Sequence, residues 1–271
     1  MNIKDILNEN KFVFKKKYGQ NFLVDNNVLD NIIREANILP NDLVIEIGVG
    51  AAALTKKSAV FAKNVLGYEI DKSLKKSLDK ILDNYDNVRI IYDDFLRRNI
   101  KEDIKNYNYD RIIVVANLPY YITTPIITKF IDEKIDVKRI IVMVQNEVAE
   151  RFSAKPRTKD YNSLTIFLNY YFDIRKAFFV SRNVFYPKPN VDSAIVVFDK
   201  KVNLIYLKDE KTFFELVRQS FKQKRKTLKN NLKNYDLDKI EFVLSKYGKS
   251  INSRAEEITI EEFVDISNNL N

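Results

Sequence analysis

The sequence predicts an α/β fold class, a doubly wound sheet followed by a small all-helical domain at the C-terminus. Three observations carry this expectation. From about Leu43, short β-branched runs alternate with amphipathic stretches; the runs are apolar on both faces; and strand character fades past Lys201. Strands without polar alternation, spaced by helical patterns, argue for a mostly parallel sheet covered by helices on both sides.

The candidate strands are LVIEIG (43–48), NVLGYEI (64–70), VRIIY (88–92), RIIVVA (111–116) and RIIVMV (139–144). Helical spacing falls near 53–63, 72–83 and 124–133 among them, and near 146–154 and 162–170 after them. YFDIRKAFFV (171–180) and VDSAIVVFD (191–199) read as two strands around SRNVFYPKPN, forming the antiparallel end of the sheet. Beyond them, 210–232 predicts one helix with a basic outer face, and 236–248 and 260–270 predict two more. The domain boundary is therefore placed near residue 200, with 1–200 as the α/β domain and its basic N-terminal segment, and 201–271 as the helical domain.

Composition narrows the chemistry. Lys and Arg number 46 against 37 Asp and Glu, a net charge of +9, which suits a phosphate-rich partner. Abundant Asn, Lys, Ile and Tyr also fit an AT-rich coding sequence, so charge alone does not identify that partner. The chain has no Cys, which excludes disulfides, thiolate nucleophiles and cysteine zinc sites. It has no His, which removes the commonest general base and metal ligand. Carboxylates, amides, aromatics, backbone groups or a bound cofactor must do the work, and no metal is expected. No apolar run approaches the roughly 18–20 residues that span a bilayer. The opening MNIKDILNENKFVFKKKYGQ lacks a signal peptide's apolar core. A cytoplasmic protein without a membrane partner is expected, and no signature of dimerisation is visible, so a monomer is expected.

The first strand ends in EIGVG (46–50) and a helix follows. Gly48 and Gly50 allow a tight turn that brings backbone close to a ligand, although any α/β protein can use such a turn. Ala52 stands where the third glycine of a dinucleotide fingerprint would fall. Glu69 follows Gly48 by about 20 residues, at the end of the second strand, where an acid can bind both ribose hydroxyls. Asp94, in DDFL (93–96) after the third strand, can accept a hydrogen bond from an adenine amino group. Each acid alone reads equally as a solvated surface group. Together at the carboxyl edge of one sheet, they describe a nucleoside-cofactor pocket.

The fourth strand ends in Asn117-Leu118-Pro119-Tyr120, the sharpest signal in the chain. An exocyclic adenine amine is a poor nucleophile because its lone pair is delocalised into the ring. An Asn oxygen and a neighbouring carbonyl can accept its two N–H bonds and draw the nitrogen toward a nucleophilic geometry. Pro119 shapes that backbone and removes a competing donor. Tyr120 can stack on the base and stabilise a cationic methyl donor. Phe185, in FYPKP (185–189), supplies a second aromatic wall for a flipped base, or packs beneath a rigid proline loop. Lys222, Lys224, Arg225, Lys226 and Lys229, with Lys15, Lys16 and Lys17 before the core, read as phosphate contacts beside such a motif.

These residues resemble the small-subunit ribosomal RNA adenine dimethyltransferases along nearly the whole chain. The similarity rests on KKYGQNFLVD (16–25), EIG, YEID, DDFL and NLPY in order, then VQNEVAERFSAKP (144–156), FYPKPNVDSAIVVF (185–198) and FKQKRKTLKNNL (221–232). The last two distinguish it from the erythromycin-resistance methyltransferases of large-subunit rRNA. The resemblance implies a Rossmann-like S-adenosylmethionine-dependent methyltransferase domain. It implies transfer of two methyl groups to each of two adjacent adenosines near the 3′ end of small-subunit rRNA, within the pre-ribosomal small subunit. It places cofactor contacts at Asn21, Leu23, Gly48, Gly50, Glu69, Ile70, Asp94, Phe95 and Asn117, and target-base contacts at Asn117, Leu118, Pro119, Tyr120 and Phe185. The chain departs from the family's EIGPGxGxLT, reading EIGVGAAALT, and weakened cofactor binding is expected, with the Ala52 methyl crowding the methionine moiety or holding φ where glycine was needed. A ribosome-assembly factor with weakened catalysis is the alternative this departure suggests, and an erythromycin-resistance-type 23S rRNA adenine methyltransferase is a second, against which KRKTLKNNL argues. A DNA adenine methyltransferase fits less well, because the tetrapeptide lacks a second proline.

Overall fold

The computed structural model describes residues 21–117 and 122–270. In chain order, β1 (Phe22–Leu23) precedes α1 (Asn26–Ala36), β2 (Leu43–Ile47), α2 (Ala53–Phe61), β3 (Asn64–Tyr68) and α3 (Lys75–Ile81). Then come β4 (Val88–Ile91), α4 (Ile100–Ile104), β5 (Ile112–Asn117), α5 (Thr123–Asp132), β6 (Val137–Gln145) and α6 (Asn146–Phe152). After α7 (Ser163–Tyr171) follow β7 (Phe172–Val180), β8 (Phe185–Tyr186) and β9 (Ser193–Lys200). Four helices end the described chain: α8 (Glu210–Ser220), α9 (Leu228–Asn231), α10 (Leu237–Ser245) and α11 (Ile260–Leu270).

Seven strands form one sheet in the order β4-β3-β2-β5-β6-β9-β7. β4, β3, β2, β5 and β6 run parallel, and β9 lies antiparallel to β6. The order reverses direction between β2 and β5, the switch point beside which open α/β sheets bind ligands. All five residues of β2 are buried, which explains its unalternating sequence.

One face of the sheet, with Val44, Val65, Ile113, Val115, Ile141 and Val197, packs under α1 and α2. α1 was not among the helices the periodicity suggested, yet Leu29, Ile32, Ile33 and Ala36 recur at helical spacing on its buried side. Asp25 caps it, accepting hydrogen bonds from the Asn27 and Val28 amides at 2.8 and 3.1 Å. Tyr68, Phe95 and Phe130 form a separate aromatic run, with ring centroids 5.0 and 5.4 Å apart. At the amino ends of β2 and β5, Arg111 clamps the buried Asp42, donating from Nε to Oδ1 at 2.8 Å and from Nη2 to Oδ2 at 2.6 Å.

Two compact units partition the described residues: those to Ala149 together with Lys176–Asp199, and Glu150–Arg175 together with those from Lys200. The helical unit is therefore not confined to residues beyond 200. Tyr161, Ile166 and Tyr170 belong to the same core as Phe213, Leu216, Val243 and Phe263. Strand pattern gives no hint of this, because their apolar partners come much later in the chain.

The single helix expected over 210–232 is also broken. α8 stops at Ser220, and α9 begins at Leu228. Asn231 Nδ2 donates to the Ser220 carbonyl at 2.6 Å, and Gln219 Nε2 donates to the Asn231 carbonyl at 2.9 Å. Side-chain amides thus take up groups a continuous helix would have used itself.

Replacing Arg111 with Met should destabilise the fold by about 2–3 kcal/mol, since it strands a buried carboxylate while part of the arginine's own desolvation is recovered. Urea denaturation would measure this. A change below about 0.5 kcal/mol would show that the clamp carries no stability.

Candidate active site

The carboxyl ends of β2, β3 and β5 open into a cleft of about 670 Å³, within the 300–1,000 Å³ common for small-molecule sites. Asn21, Leu23, Gly48, Gly50, Glu69, Ile70, Asp94, Phe95 and Asn117 all line it, so the structure brings together every residue named for the cofactor from sequence. Phe185 lines it too. Leu118, Pro119 and Tyr120 lie outside the described residues, as do Lys16 and Lys17.

The turn after β2 is held in an uncommon conformation. Gly48, Gly50 and Ala52 have φ of 81°, 57° and 58°. At Gly50 a Cβ would stand 2.8 Å from Cε1 of Phe22, so a side chain there would force the ring to move. Phe22 comes from β1, which pairs antiparallel with β8, matching Phe22 to Tyr186 and Leu23 to Phe185. Phe185 is thus buried among Leu23, Leu29 and Val180 while presenting part of its surface to the cleft.

Glu69 ties the turn to the next strand. Its Oε2 accepts a hydrogen bond from the Gly50 amide at 2.9 Å, and Oε1 accepts one from the Asp71 amide at 2.8 Å. Burial raises its pKa, and the amides of Asp71, Gly50 and Ile70 work against that rise. Each oxygen keeps lone-pair capacity for one more donor, as two neighbouring ribose hydroxyls require. Asp94 caps a short 3-10 turn, with Oδ1 accepting from the Leu96 amide at 3.0 Å, and its side chain stays about one-third exposed. Asn117 Nδ2 points to the Asn21 carbonyl at 3.5 Å, which leaves Oδ1 to accept from a ligand.

Ala52 is placed differently from expectation. It does not line the cleft; it packs with Val49, Leu74 and Leu78 on the side of α3. Its methyl thus packs within that cluster, and its backbone takes the left-handed conformation that a glycine would favour. Val49 lines the cleft and joins the same cluster.

Sequence reasoning named no role for several other lining residues, Phe22, Glu46 and Gln145 among them. All three stand inside motifs: Phe22 in KKYGQNFLVD, Glu46 as the acid that ends the first strand, and Gln145 in VQNEVAERFSAKP, where only the overall likeness marks it. The basic cluster belongs to the second unit. Lys222, Lys224, Arg225, Lys226 and Lys229 are all exposed, in the connection between α8 and α9 and on α9 itself rather than along one long helix. Lys224 Nζ donates to the Lys159 carbonyl at 2.5 Å within that unit.

The chain is 46% identical over 276 residues to ribosomal RNA small subunit methyltransferase A of Bacillus cytotoxicus, covering 98% of this chain and 94% of that one. It is 44% identical to the protein of the same name from Bacillus cereus, with the same coverage. Among solved structures, a dimethyladenosine transferase from Plasmodium falciparum matches with a TM-score of 0.75 and 27% identity, over 89% of this chain and 94% of that chain. The 23S rRNA methyltransferase ErmE matches with a TM-score of 0.73 and 25% identity, over 92% and 99%. The family model described as ribosomal RNA adenine dimethylase matches residues 11–271, and the chain belongs to that family.

Proposed function

We propose that this protein dimethylates the N6 amino groups of two adjacent adenosines near the 3′ end of small-subunit rRNA, using S-adenosylmethionine. The observation that carries the reading is the meeting of Gly48, Glu69, Asp94 and Asn117 in one cleft at the switch point of the sheet. The relatives named for the small subunit share 44–46% of their residues with this chain, against 25% for the 23S enzyme.

The residues present fit the cofactor. Glu69 would take the ribose hydroxyls, Asp94 the adenine amine, and Ile70 and Phe95 the faces of the base. Asn21, Leu23 and the backbone of Gly48 and Gly50 would border the remaining part. When bound, S-adenosylmethionine supplies an electrophilic methyl group on a sulfonium. Asn117 Oδ1 would accept a hydrogen bond from the target amine and hold its nitrogen in line, with Leu118, Pro119 and Tyr120 completing the grip and Phe185 bordering the base. Orientation and localisation of the nitrogen lone pair account for the acceleration, so no general base is required. Lys222, Lys224, Arg225, Lys226 and Lys229 would neutralise rRNA phosphates, with Lys16 and Lys17 assigned the same part.

Three outcomes follow. Asn117→Ala should lower single-turnover methyl transfer to unmethylated small subunits by at least about 100-fold, as loss of one transition-state acceptor does, while subunit binding stays within about threefold. Retention of most activity would remove Asn117 from the mechanism. Ala52→Gly should leave S-adenosylmethionine affinity within about twofold by calorimetry. Its stability should shift by less than about 1 kcal/mol, because relief of the left-handed backbone offsets the lost buried methyl. A tighter-binding Gly variant would restore the crowding explanation. Exchanging Lys222, Lys224 and Arg225 for Gln should weaken subunit binding and flatten its dependence on salt by roughly two to three phosphate contacts. An unchanged salt slope would place the rRNA elsewhere.

A further inference from the structure

The cleft is acidic in a basic protein. Its ionisable carboxyl groups are Glu46, Glu69, Asp93 and Asp94, and among the described residues no Lys or Arg lines it. A ligand drawn to such a wall is cationic. S-adenosylmethionine answers to this: its sulfonium and ammonium outweigh its one carboxylate.

Three of these acids have partners or solvent. Glu69 holds two amides; Asp94 caps a turn and lies 3.6 Å from Arg97 Nε; Asp93 accepts from the Asp94 amide at 2.9 Å and lies 3.6 Å from Arg98 Nη1. Glu46 differs. It is 1% exposed in the middle of the sheet, matched to Gly67 of β3 and Val115 of β5, and its Oε2 accepts no hydrogen bond. Neither neighbouring strand offers a charge at those positions. Thr55 of α2 favours the ionised form through its hydroxyl and its backbone amide, but burial outweighs both, and Glu69 is the charged group that acts on it, unfavourably. A buried carboxyl without a cation stays protonated. Burial, with Glu69 adding to it, pushes Glu46 up to about 8.

We infer that Glu46 is a proton-linked counter-charge for the cofactor, neutral in the empty cleft and ionised when S-adenosylmethionine is bound. The inference rests on the cofactor reading above. The balance is simple: the neutral acid and the singly positive cofactor give a complex holding carboxylate and cation, and one proton goes to solvent. Glu46 is thus a positioning residue whose ionisation recognises the cofactor's positive charge.

The test is titration calorimetry of the whole protein with S-adenosylmethionine at pH 6.5, in buffers of different ionisation enthalpy, which counts protons exchanged. The wild type should release about one proton per cofactor, and its affinity should rise by up to about tenfold from pH 6 to pH 7. Glu46→Gln, a near-isostere of the neutral acid, should bind with little proton release and a flatter pH profile. No release by the wild type, or equal release by both proteins, would overturn the inference; in the second case Glu69 becomes the source. Failure of the wild type to bind S-adenosylmethionine at all would instead reject the cofactor reading. A ligand-free measurement guards against a folding artefact. A carboxyl raised in the folded state contributes stability below its unfolded pKa, and that contribution is lost as pH rises toward the folded one. The wild type should therefore lose stability relative to Glu46→Gln as pH rises from about 4.5 to about 8. Parallel stability curves would also contradict the inference.

Discussion

The whole site depends on the carboxylate of Glu69. It reaches from the end of β3 to the amide of Gly50 and back to that of Asp71, joining two strand-to-helix connections. The connection it holds contains three residues with positive φ, one of which is not glycine. Strained backbone of this kind persists only where surrounding bonds determine it. Phe22 closes against Gly50 from the other side, so the turn is fixed between a carboxylate and an aromatic ring. α2 starts from this turn, and the cleft is the space it leaves open.

Two kinds of charge serve two kinds of ligand. The chain carries a net +9, yet the described cleft walls are acidic. On the proposed function, a polyanionic RNA would meet the exposed Lys and Arg of the α8–α9 connection, which keep their water and would act through counterion release. A small cation would meet Glu46 and Glu69, two carboxyl groups removed from water, where each interaction is stronger. Composition without His or Cys is compatible with this chemistry, because the amine needs hydrogen-bond acceptors and orientation rather than a base.

Much of this was legible in the residues themselves. Buried parallel strands betray themselves as unbroken apolar runs, so β2, β5 and β6 stand out, and the strand-end acids fall at the carboxyl edge because strand direction puts them there. What escaped was long-range. The apolar stripe of α1 was present but short, and no motif drew attention to it. The break after Ser220 depends on Asn231, whose amide reaches back across a connection that periodicity reads as helix. The excursion of Glu150–Arg175 into the helical unit depends on partners far along the chain. Ala52 shows the limit of motif reading most clearly. Its position in the turn was correctly seen as one made for glycine, but which way its methyl pointed was decided by Leu74 and Leu78 of another connection.

The central claim is methyl transfer to adenine in small-subunit rRNA. Its most direct test is mass-spectrometric analysis of that rRNA after unmethylated small subunits are incubated with the protein and isotopically labelled S-adenosylmethionine. The account predicts labelled N6-dimethyladenosine at two adjacent positions near the 3′ end. Absence of label from subunits that nevertheless bind the protein would contradict it and identify a binding factor in an enzyme's fold.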